Sequence, residues 1–551
     1  MADLAFLWHM HQPDYRHPDN GEFRLPWVLL HAIKDYTDMA AHLERHPHIR
    51  CTVNFVPVLL DQIEDYADQF ATGCWRDPLL RLAASPRPEC FTADERQWLI
   101  DLAFRCHAPT MLEPFAPYRR LRDLLLHVRS HDGEALDYLS GAYFADLATW
   151  YLLAWSGESL RRAGGVIAEL MAKGSGFSLA DRQALLAELG DAVAGIVPRY
   201  RALADDGRVE LSCTPAGHPL APLLLDFNAA REAWPDCALP AAPEYPGGRS
   251  RVAEHVAQAV ASHARRFGRP PAGLWPAEGA LSEAFLKQVG EAGFRWTASS
   301  HGVLKHSAGN DARTAQAWQA PDGTPGDLTL FFRNERLSDL IGFEYCRWHG
   351  RDAAQHFMTE VKALHLQDAN HLIPVFLDGE NAWEYYPYNA WYFFSDLYDA
   401  LEKNPGIRTV TLSEAADSQR ARRARLPRLV AGSWVYGTLS TWIGHPDKNR
   451  AWEMLCEVKH CVDRALDGDR LGPAERADVI RRLAVCEGSD WFWWLGDYNS
   501  PQSVASFDAL FRENLKALYQ VLKLPLPSGL DHPISRGGGE PESGGTMRRA
   551  N

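Results

Sequence analysis

Several features that would narrow the class of protein are missing from this sequence. Within its 551 residues no apolar stretch is long enough to span a membrane, so we predict no membrane segment. The first residues, MADLAFLWHMHQP, have neither a basic region nor a small-residue cleavage site, which argues against a signal peptide. The ten cysteines include no CxxC pair and are expected to be reduced core residues. Together these absences predict a soluble, cytoplasmic protein.

Positive charge is also scarce. The 57 Lys and Arg residues are outnumbered by 71 Asp and Glu, which gives a formal net charge of -14. Without a basic surface to meet phosphates, the chain is not expected to bind nucleic acid. Aromatic residues, in contrast, are abundant, with 19 Trp, 18 Tyr and 23 Phe. They predict either a large core or a carbohydrate cleft, in which flat rings stack on the apolar faces of sugars.

Short apolar runs alternate with amphipathic helical patterns over much of the chain. Helical patterns lie at residues 252–268, 281–293 and 353–367. Strands are predicted at residues 4–10, 51–60, 209–215, 273–278, 294–299, 328–334, 371–379 and 407–412. Buried strands that alternate with helices are typical of a parallel sheet, and so many repeats predict a closed or nearly closed barrel.

The remaining regions depart from this alternation. Residues 58–207 are rich in Leu, Ala, Arg and Asp at helical spacing, which predicts a mostly helical insertion between the second and third strands. The strand signal stops at about residue 416. We therefore expect a barrel with its insertion over 1–415 and a helical C-terminal domain over 416–527. The Gly-rich polar residues 528–551 are expected to be disordered.

In a parallel barrel the residues that end each strand lie at the C-terminal rim, where chemistry is concentrated. The first strand ends in WHMHQPD, which places His9 and His11 on one strand face. Three interpretations stay open for these histidines. They could be hydrogen-bonded surface residues, they could bind sugar hydroxyls through His11 with Gln12, or they could bind a metal with Asp14 or His218 as third ligand. No HxxxH or HExxH pattern supports the metal site.

Two acidic residues, one hundred positions apart, each end a predicted strand. Glu278 could instead cap the following helix, although Ser282 competes for that role. Asp378 could instead belong to an Asp-Gly turn. If both lie on one rim, an ionised and a protonated carboxylate form the arrangement that two-carboxylate glycoside hydrolysis needs. Trp383, with the two tyrosines that follow it at 385 and 386, would then be a wall of a sugar cleft.

These positions carry the ordered motifs of a known family, and the chain resembles glycoside hydrolase family 57. The resemblance runs from residue 4 to about 522, and its later part is similar to the amylopullulanase-like branch of the family. The motifs are HQP (11–13), GHP (217–219), WPAEGALSE (275–283), LDGENAWEYY (377–386), GSWVYGTLSTWIGHPDKNRAWE (432–453) and EGSDWFWWLGDYNS (487–500).

The resemblance implies a (β/α)7 barrel followed by a helical domain that helps to close the active site. It implies double-displacement, retaining chemistry on α-1,4-linked or also α-1,6-linked glucans such as starch, glycogen or maltooligosaccharides. No metal or organic cofactor is expected. Glu278 matches the family's nucleophile and Asp378 its acid/base. Further cleft residues would be His11, His218, Trp275, Glu380, Trp434 and Asp490.

One departure and several alternatives accompany this resemblance. Ser299, Ser300 and His301 follow the fifth strand, where similar proteins often carry an acidic pair. Within the family the alternatives are a 4-α-glucanotransferase or a branching enzyme, although the SDWFWW segment favours the amylase or amylopullulanase type. Outside it, the chain could be a metal-dependent sugar deacetylase or mannosidase-like hydrolase, or a glucan-binding protein without turnover.

Overall fold

A computed structural model of the chain describes residues 2–131, 135–367, 372–468 and 471–539. Within these residues ten strands form one sheet, which helices surround. The strands are β1 (Ala2–Met10), β2 (Cys51–Phe55), β3 (Val209–Cys213), β4 (Gly273–Leu274), β5 (Trp296–Ser300), β6 (Trp318–Gln319), β7 (Thr329–Arg333), β8 (Leu372–Asp378), β9 (Ile407–Val410) and β10 (Ala424–Arg425).

Seven of the strands form a curled parallel run in the order β7-β5-β4-β3-β2-β1-β8. Its two end strands face each other, and the backbone N–H of Asn334, just after β7, donates to the carbonyl of Pro374 in β8 at 2.7 Å. Strand β9 pairs with the first half of β1, while β6 and β10 extend the sheet beyond β7. The predicted α/β class, a parallel barrel with a helical C-terminal region, is confirmed.

Each of the eight predicted apolar runs contains a strand, but the boundaries differ. The run 51–60 ends as a strand at Phe55, because Pro57 begins a helix. Proline suits the first helical turn, where its fixed φ is compatible and its missing N–H costs no hydrogen bond. Strands β6 and β10 have only two residues each, too few to leave a periodic pattern in the sequence.

Helices make the connections. Those from β1 to β3 are α1 (Trp27–His31), α2 (Thr37–Arg45), α3 (Pro57–Thr72), α4 (Pro78–Ala84), α5 (Ala93–Ala103), α6 (Ala108–Met111), α7 (Ala116–His131), α8 (Gly141–Trp155), α9 (Glu158–Arg162), α10 (Val166–Lys173) and α11 (Leu179–Asp205). Those from β3 to β9 are α12 (Ala221–Leu225), α13 (Ala230–Ala233), α14 (Gly248–Phe267), α15 (Glu283–Glu291), α16 (His301–Ala308), α17 (Glu335–Asp339), α18 (Gly350–Gln367) and α19 (Trp391–Glu402). Those after β9 are α20 (Leu412–Gln419), α21 (Pro446–Asp467), α22 (Pro473–Cys486), α23 (Ser489–Trp494) and α24 (Pro501–Val521).

The first residues of the predicted disordered tail are packed against the C-terminal helices. Leu530 and Ile534 are buried, and Asp508 in α24 accepts the backbone N–H of Ile534 at 2.7 Å. Disorder is therefore a wrong prediction for residues 528–539, and residues 540–551 lie outside the described part of the chain. Among the described helices, none combines the length and apolarity that crossing a membrane requires.

The barrel interior changes from apolar to polar along the strands. Its lower layer consists of inward side chains that include Leu7, Phe331 and Phe376. Because strand side chains alternate with a period of two, the next inward positions on the same strands are His9, Arg333 and Asp378. All three line a cavity at the C-terminal end of the barrel. The apolar layer is thus the floor of a polar site.

A buried carboxylate joins the C-terminal helices to the barrel helix α14. Glu487 is fully buried and accepts hydrogen bonds from Tyr245 Oη at 2.5 Å, Arg251 Nη2 at 2.6 Å and His255 Nε2 at 2.7 Å. Burial by itself would raise its pKa, but the charge of Arg251 and the hydrogen bonds from Arg251 and His255 lower the pKa to about 2. The ionised state is therefore strongly favoured by the folded structure.

We predict that Glu487→Gln loses about 3 kcal/mol of the free energy of unfolding, because the buried Arg251 guanidinium loses its main partner. The folded-state pKa of Glu487 lies below its unfolded value. Its contribution is therefore complete above about pH 5 and is lost as the pH falls towards 2. Chemical unfolding of the wild-type protein and of Glu487→Gln, at pH 7 and at about pH 3, measures the difference in their free energies of unfolding at each pH.

The matched control is Glu254→Gln, because Glu254 pairs with the same arginine from a half-buried position. We expect this control to cost no more than about 1 kcal/mol. Equal losses for the two variants at pH 7 would show that burial of Glu487 adds nothing.

Candidate active site

A cavity of about 220 Å³ lies at the C-terminal ends of the barrel strands. The helical insertion contributes Arg105 to its wall, and the helices after β10 contribute Trp493, Trp494 and Phe507. Eight of the ten site residues predicted from the sequence line this cavity, namely Glu278, Asp378, His11, Gln12, His218, Glu380, Trp434 and Asp490.

Glu278 follows β4 in a left-handed backbone conformation, with φ 59° and ψ 22°. Residues with a Cβ rarely adopt this conformation, and here it leads the side chain into the cavity. Trp434 donates its Nε1–H to Glu278 Oε2 at 3.0 Å. Helix α15 is capped instead by Ser282, which accepts the backbone N–H of Phe285. The capping interpretation of Glu278 therefore does not hold.

The glycine after Asp378 is required by the close approach of β8 to β1. A Cβ at Gly379 would lie 2.1 Å from Sδ of Met10. The N–H of Gly379 donates to the carbonyl of His9 at 2.7 Å, which continues the pairing of the two strands. Asp378 is 7% exposed at the cavity wall, where Asn381 donates Nδ2–H to its Oδ2 at 3.1 Å. The Asp-Gly pair thus places a carboxylate at the end of a strand.

Glu380, the second acid of this segment, holds the backbone of β1. Its Oε1 accepts the N–H of His11 at 3.1 Å, and the residue is almost fully buried. Burial raises its pKa well above the ordinary value, and the charge of Asp378 raises it further. This environment fits a residue that positions His11.

The two carboxylates Glu278 and Asp378 both have raised pKa values. Burial, followed by the charges of Asp490 and Asp378, raises the pKa of Glu278 to about 8, against the opposing bond from Trp434. Burial raises the pKa of Asp378 to about 6. Burial therefore favours the neutral form of both acids relative to a carboxylate in water. Because the charge of Asp378 is one cause of the raised pKa of Glu278, the titrations of the two groups are linked.

A chain of polar side chains leads from Asn54 to Glu278. Nδ1–H of His9 donates to Asn54 Oδ1 at 2.7 Å, so Nε2 of His9 is an acceptor for His218 Nε2–H at 3.3 Å. His218 Nδ1 is then the acceptor for the Ser489 hydroxyl at 2.8 Å. Ser489 Oγ also lies 3.2 Å from Glu278 Oε1, to which the same hydroxyl can donate instead. When Glu278 ionises, the Ser489 hydroxyl must turn towards it.

Burial keeps the two inner histidines of this chain neutral. Desolvation, followed by the charge of His11, lowers the pKa of His9 to about 3. The same causes lower the pKa of His218 well below its ordinary value. Neutral imidazoles have one donor and one acceptor nitrogen each, as the chain from Asn54 to Ser489 requires.

The arrangement of histidines and carboxylates does not favour a metal ion. His11, His218 and Asp490 offer ligand atoms within 4.8 Å of one another. However, the rings of His11 and His218 are stacked, with centroids 3.5 Å apart and planes at 18°. Nitrogen lone pairs lie in the ring planes, so two nearly parallel rings cannot both point them at one tetrahedral ion. The third ligand considered, Asp14, is paired with Arg16 at 2.7 Å instead.

Two predicted cleft residues lie in the core and not on the cavity. Trp275 is fully buried beneath the site and packs against Phe376 and Trp434, with ring centroids 5.8 and 5.2 Å away. Trp383 is 1% exposed and packs against Phe394, and its Nε1–H donates to the carbonyl of Gly379 at 2.7 Å. Both predictions are corrected, because these rings support the segments that carry the two carboxylates.

The serines at the departure from the family pattern support backbone next to the site. Ser299 donates its hydroxyl to the carbonyl of Gly279 at 2.6 Å, and Ser300 donates to the carbonyl of Ser433 at 2.9 Å. Gly279 and Ser433 adjoin the two residues joined by the Trp434–Glu278 hydrogen bond. His301 is half-buried at the start of α16, where burial lowers its pKa.

Sequence reasoning missed two residues that touch the carboxylates or their partners. Arg333 ends β7, donates to Asp339 Oδ1 at 2.6 Å and lies over the Trp434 ring at 5.7 Å. The rule of inspecting residues that end strands, applied to LTLFFRN, would have found it. Ser489 stands one position before the predicted Asp490, and no local pattern separates it from a helix-capping serine.

The sequence model described as glycosyl hydrolase family 57 matches residues 5–428. A comparison with curated proteins found no match.

Several solved enzyme structures have a similar fold. A family 57 branching enzyme from Thermococcus kodakaraensis has a TM-score of 0.56 and 16% identity, over 94% of this chain and 90% of that one. The branching enzyme from Pyrococcus horikoshii has the same score and identity, over 99% and 98%. The α-amylase AmyC from Thermotoga maritima has a TM-score of 0.53 and 11% identity, over 95% and 97%.

The stacked histidines give a prediction about metal binding. After incubation with zinc and gel filtration, we expect the protein to retain well below one zinc ion per chain, because His11 and His218 cannot converge on one ion. Elemental analysis measures the retained metal. One tightly held zinc that is lost in His11→Ala would contradict this account.

Proposed function

Because the chain belongs to glycosyl hydrolase family 57, we propose that it is a retaining glycoside hydrolase of α-1,4-linked glucans. Glu278 is the nucleophile and Asp378 the general acid/base. The observation that carries the proposal is that Glu278, just after β4, and Asp378, at the end of β8, line the same cavity and both have pKa values raised by burial. A cytoplasmic glucan such as glycogen is the natural substrate to test first.

The names of similar structures support α-glucan chemistry. They include two branching enzymes, an α-amylase and a 4-α-glucanotransferase from Thermococcus litoralis, the last with a TM-score of 0.50. These proteins share a fold with the chain and differ in whether they hydrolyse or transfer.

In the first step of the proposed reaction, Asp378 gives its proton to the glycosidic oxygen while Glu278 attacks the anomeric carbon. This step therefore needs Asp378 to be protonated and Glu278 to be ionised. Once Asp378 is neutral, its charge no longer raises the pKa of Glu278. The Trp434 N–H, with the Ser489 hydroxyl turned towards Glu278, then stabilises the carboxylate.

In the second step the Asp378 carboxylate takes a proton from water or from a sugar hydroxyl, whose oxygen attacks the anomeric carbon while the bond from that carbon to Glu278 breaks. Hydrolysis and transfer differ only in which acceptor arrives. We propose hydrolysis of the amylase type as the main outcome, on the resemblance of residues 487–500 to the amylopullulanase-like branch. Trp493 and Trp494 of that segment line the cavity.

The roles of the two carboxylates can be separated with a substrate that needs no acid. We predict that Asp378→Asn lowers kcat on starch by about 10²–10⁴-fold, with a much smaller loss on α-maltosyl fluoride, because fluoride leaves without a proton. Glu278→Gln should lose activity on both substrates. Initial rates with the two substrates, at matched thermal stability, measure this difference.

Glu380→Gln is the comparison within the same segment, because the glutamine oxygen can still accept the N–H of His11. We expect it to lose activity equally on both substrates, since Glu380 gives no proton to the leaving group. Equal losses on starch and fluoride for Asp378→Asn would contradict its role as the acid.

The Asp378→Asn variant also gives a prediction about the pH dependence of activity. With Asp378→Asn one negative neighbour of Glu278 disappears, so the pKa of Glu278 should fall below about 8. Turnover of α-maltosyl fluoride needs ionised Glu278, so the acid limb of kcat/KM should move to lower pH. A limb that moves to higher pH or stays in place would contradict the coupling.

Product analysis separates hydrolysis from transfer. With maltoheptaose as substrate we expect new reducing ends and shorter oligomers. Longer oligomers would identify a 4-α-glucanotransferase, and new α-1,6 linkages formed from amylose would identify a branching enzyme.

A further inference from the structure

Three exposed aromatic side chains lie outside the cavity, on two segments of the barrel whose backbones come into contact. Trp348, Tyr388 and Tyr392 are 42%, 56% and 48% exposed. Among the described residues only five large aromatic side chains are at least 42% exposed, and these three come from neighbouring segments. We propose that they form a second glucan-binding site, here named the aromatic platform. The choice of glucan as ligand rests on the proposed function.

The segments that carry the platform are in contact. The rings of Tyr388 and Tyr392 meet edge to face, with centroids 5.4 Å apart and an angle of 88°. A Cβ at Gly350 would lie 2.9 Å from the carbonyl carbon of Tyr392. The chain two residues after Trp348 therefore passes directly over the start of α19.

The backbone that presents Tyr388 is held in an unusual conformation. Tyr388, Asn389 and Ala390 have consecutive φ values of 55°, 49° and 59°, a region that L-residues other than glycine rarely adopt. The Asn389 side chain fixes this turn, because it donates to Asp38 Oδ2 at 2.9 Å and accepts from Lys34 Nζ at 3.1 Å. Strain of this kind is retained where the surrounding structure enforces it, often at binding sites.

The helical insertion contributes a polar edge to the platform. Buried Asp38 also accepts the backbone N–H groups of Glu158 and Ser159 at the start of α9. At the other end of that helix, Arg162 donates to Tyr392 Oη at 3.2 Å, and its guanidinium lies 5.1 Å from the ring centroid. One carboxylate thus orients both the strained turn and the helix that carries Arg162.

This combination matches the chemistry of a glucose unit. A pyranose has an apolar C–H face and an edge of hydroxyls, and the platform offers ring faces beside phenolic hydroxyls and a guanidinium. Because the rings are fixed before binding, little conformational entropy is lost on binding. A polymer held here also raises the effective concentration of its other segments at the cavity. The platform should therefore increase kcat/KM only for glucans long enough to reach both the platform and the cavity.

The test compares a long and a short substrate. In Tyr388→Ala/Tyr392→Ala we expect kcat/KM on glycogen to fall by about tenfold, with activity on maltotetraose unchanged. In native gels that contain glycogen, the wild-type protein should be retarded and the double variant should lose most of this retardation. Tyr138→Ala is the matched control, because Tyr138 is 86% exposed in the insertion, outside the platform.

Trp348→Ala tests the platform independently if the double variant folds poorly, and it should reduce retardation as well. Tyr392→Phe should retain most of the binding, because the ring remains. The proposal would be overturned if the wild type is not retarded by glycogen, or if the two alanine variants are retarded as strongly as the wild type. It would also be overturned if kcat/KM falls equally on maltotetraose and on glycogen. Failure of the proposed function gives a different result, namely no turnover of either substrate by the wild type.

Discussion

The contact between Glu278 and Trp434 is the interaction on which the rest of the site depends. It joins the end of β4 to the segment that leads into the C-terminal helices, through a side-chain bond of 3.0 Å and a backbone bond from Trp434 N–H to the Glu278 carbonyl at 2.9 Å. Leu281 and Gly432 exchange two further backbone bonds nearby. Without this connection the cavity would lack one wall, and Glu278 would lose the donor that stabilises its charge.

The same contact shows how the fold accommodates buried acids. Desolvation raises the pKa values of Glu278, Asp378 and Glu380, so burial favours the neutral forms of these acids. Two non-glycine residues beside the cavity, His218 and Glu278, also have left-handed backbones, with φ values of 55° and 59°. Glu487 is hydrogen-bonded to Arg251 and His255 of α14. These bonds fix the chain just before Ser489.

The sequence predicted the parts of this site that depend on local periodicity. Glu278 and Asp378 were found because each ends an apolar run, and the alternation that gives His9 after Leu7 follows from strand geometry. The faces of Trp275 and Trp383 were not predictable, since an aromatic ring beside an acid packs equally well below a cavity or along it. Ser489 and Trp434 reach Glu278 from more than 150 residues away, so only the folded chain reveals those contacts.

The account makes Glu278 the residue that becomes covalently bonded to sugar. Incubation with 5-fluoro-α-glucosyl fluoride, followed by proteolysis and peptide mass spectrometry, tests this directly. The fluorine slows both steps, while the good leaving group allows the first to proceed, so a glycosyl-enzyme should accumulate. We predict the label on the peptide that contains Glu278, at that side chain. A label on Asp378 or Glu380 would contradict the assignment of the nucleophile.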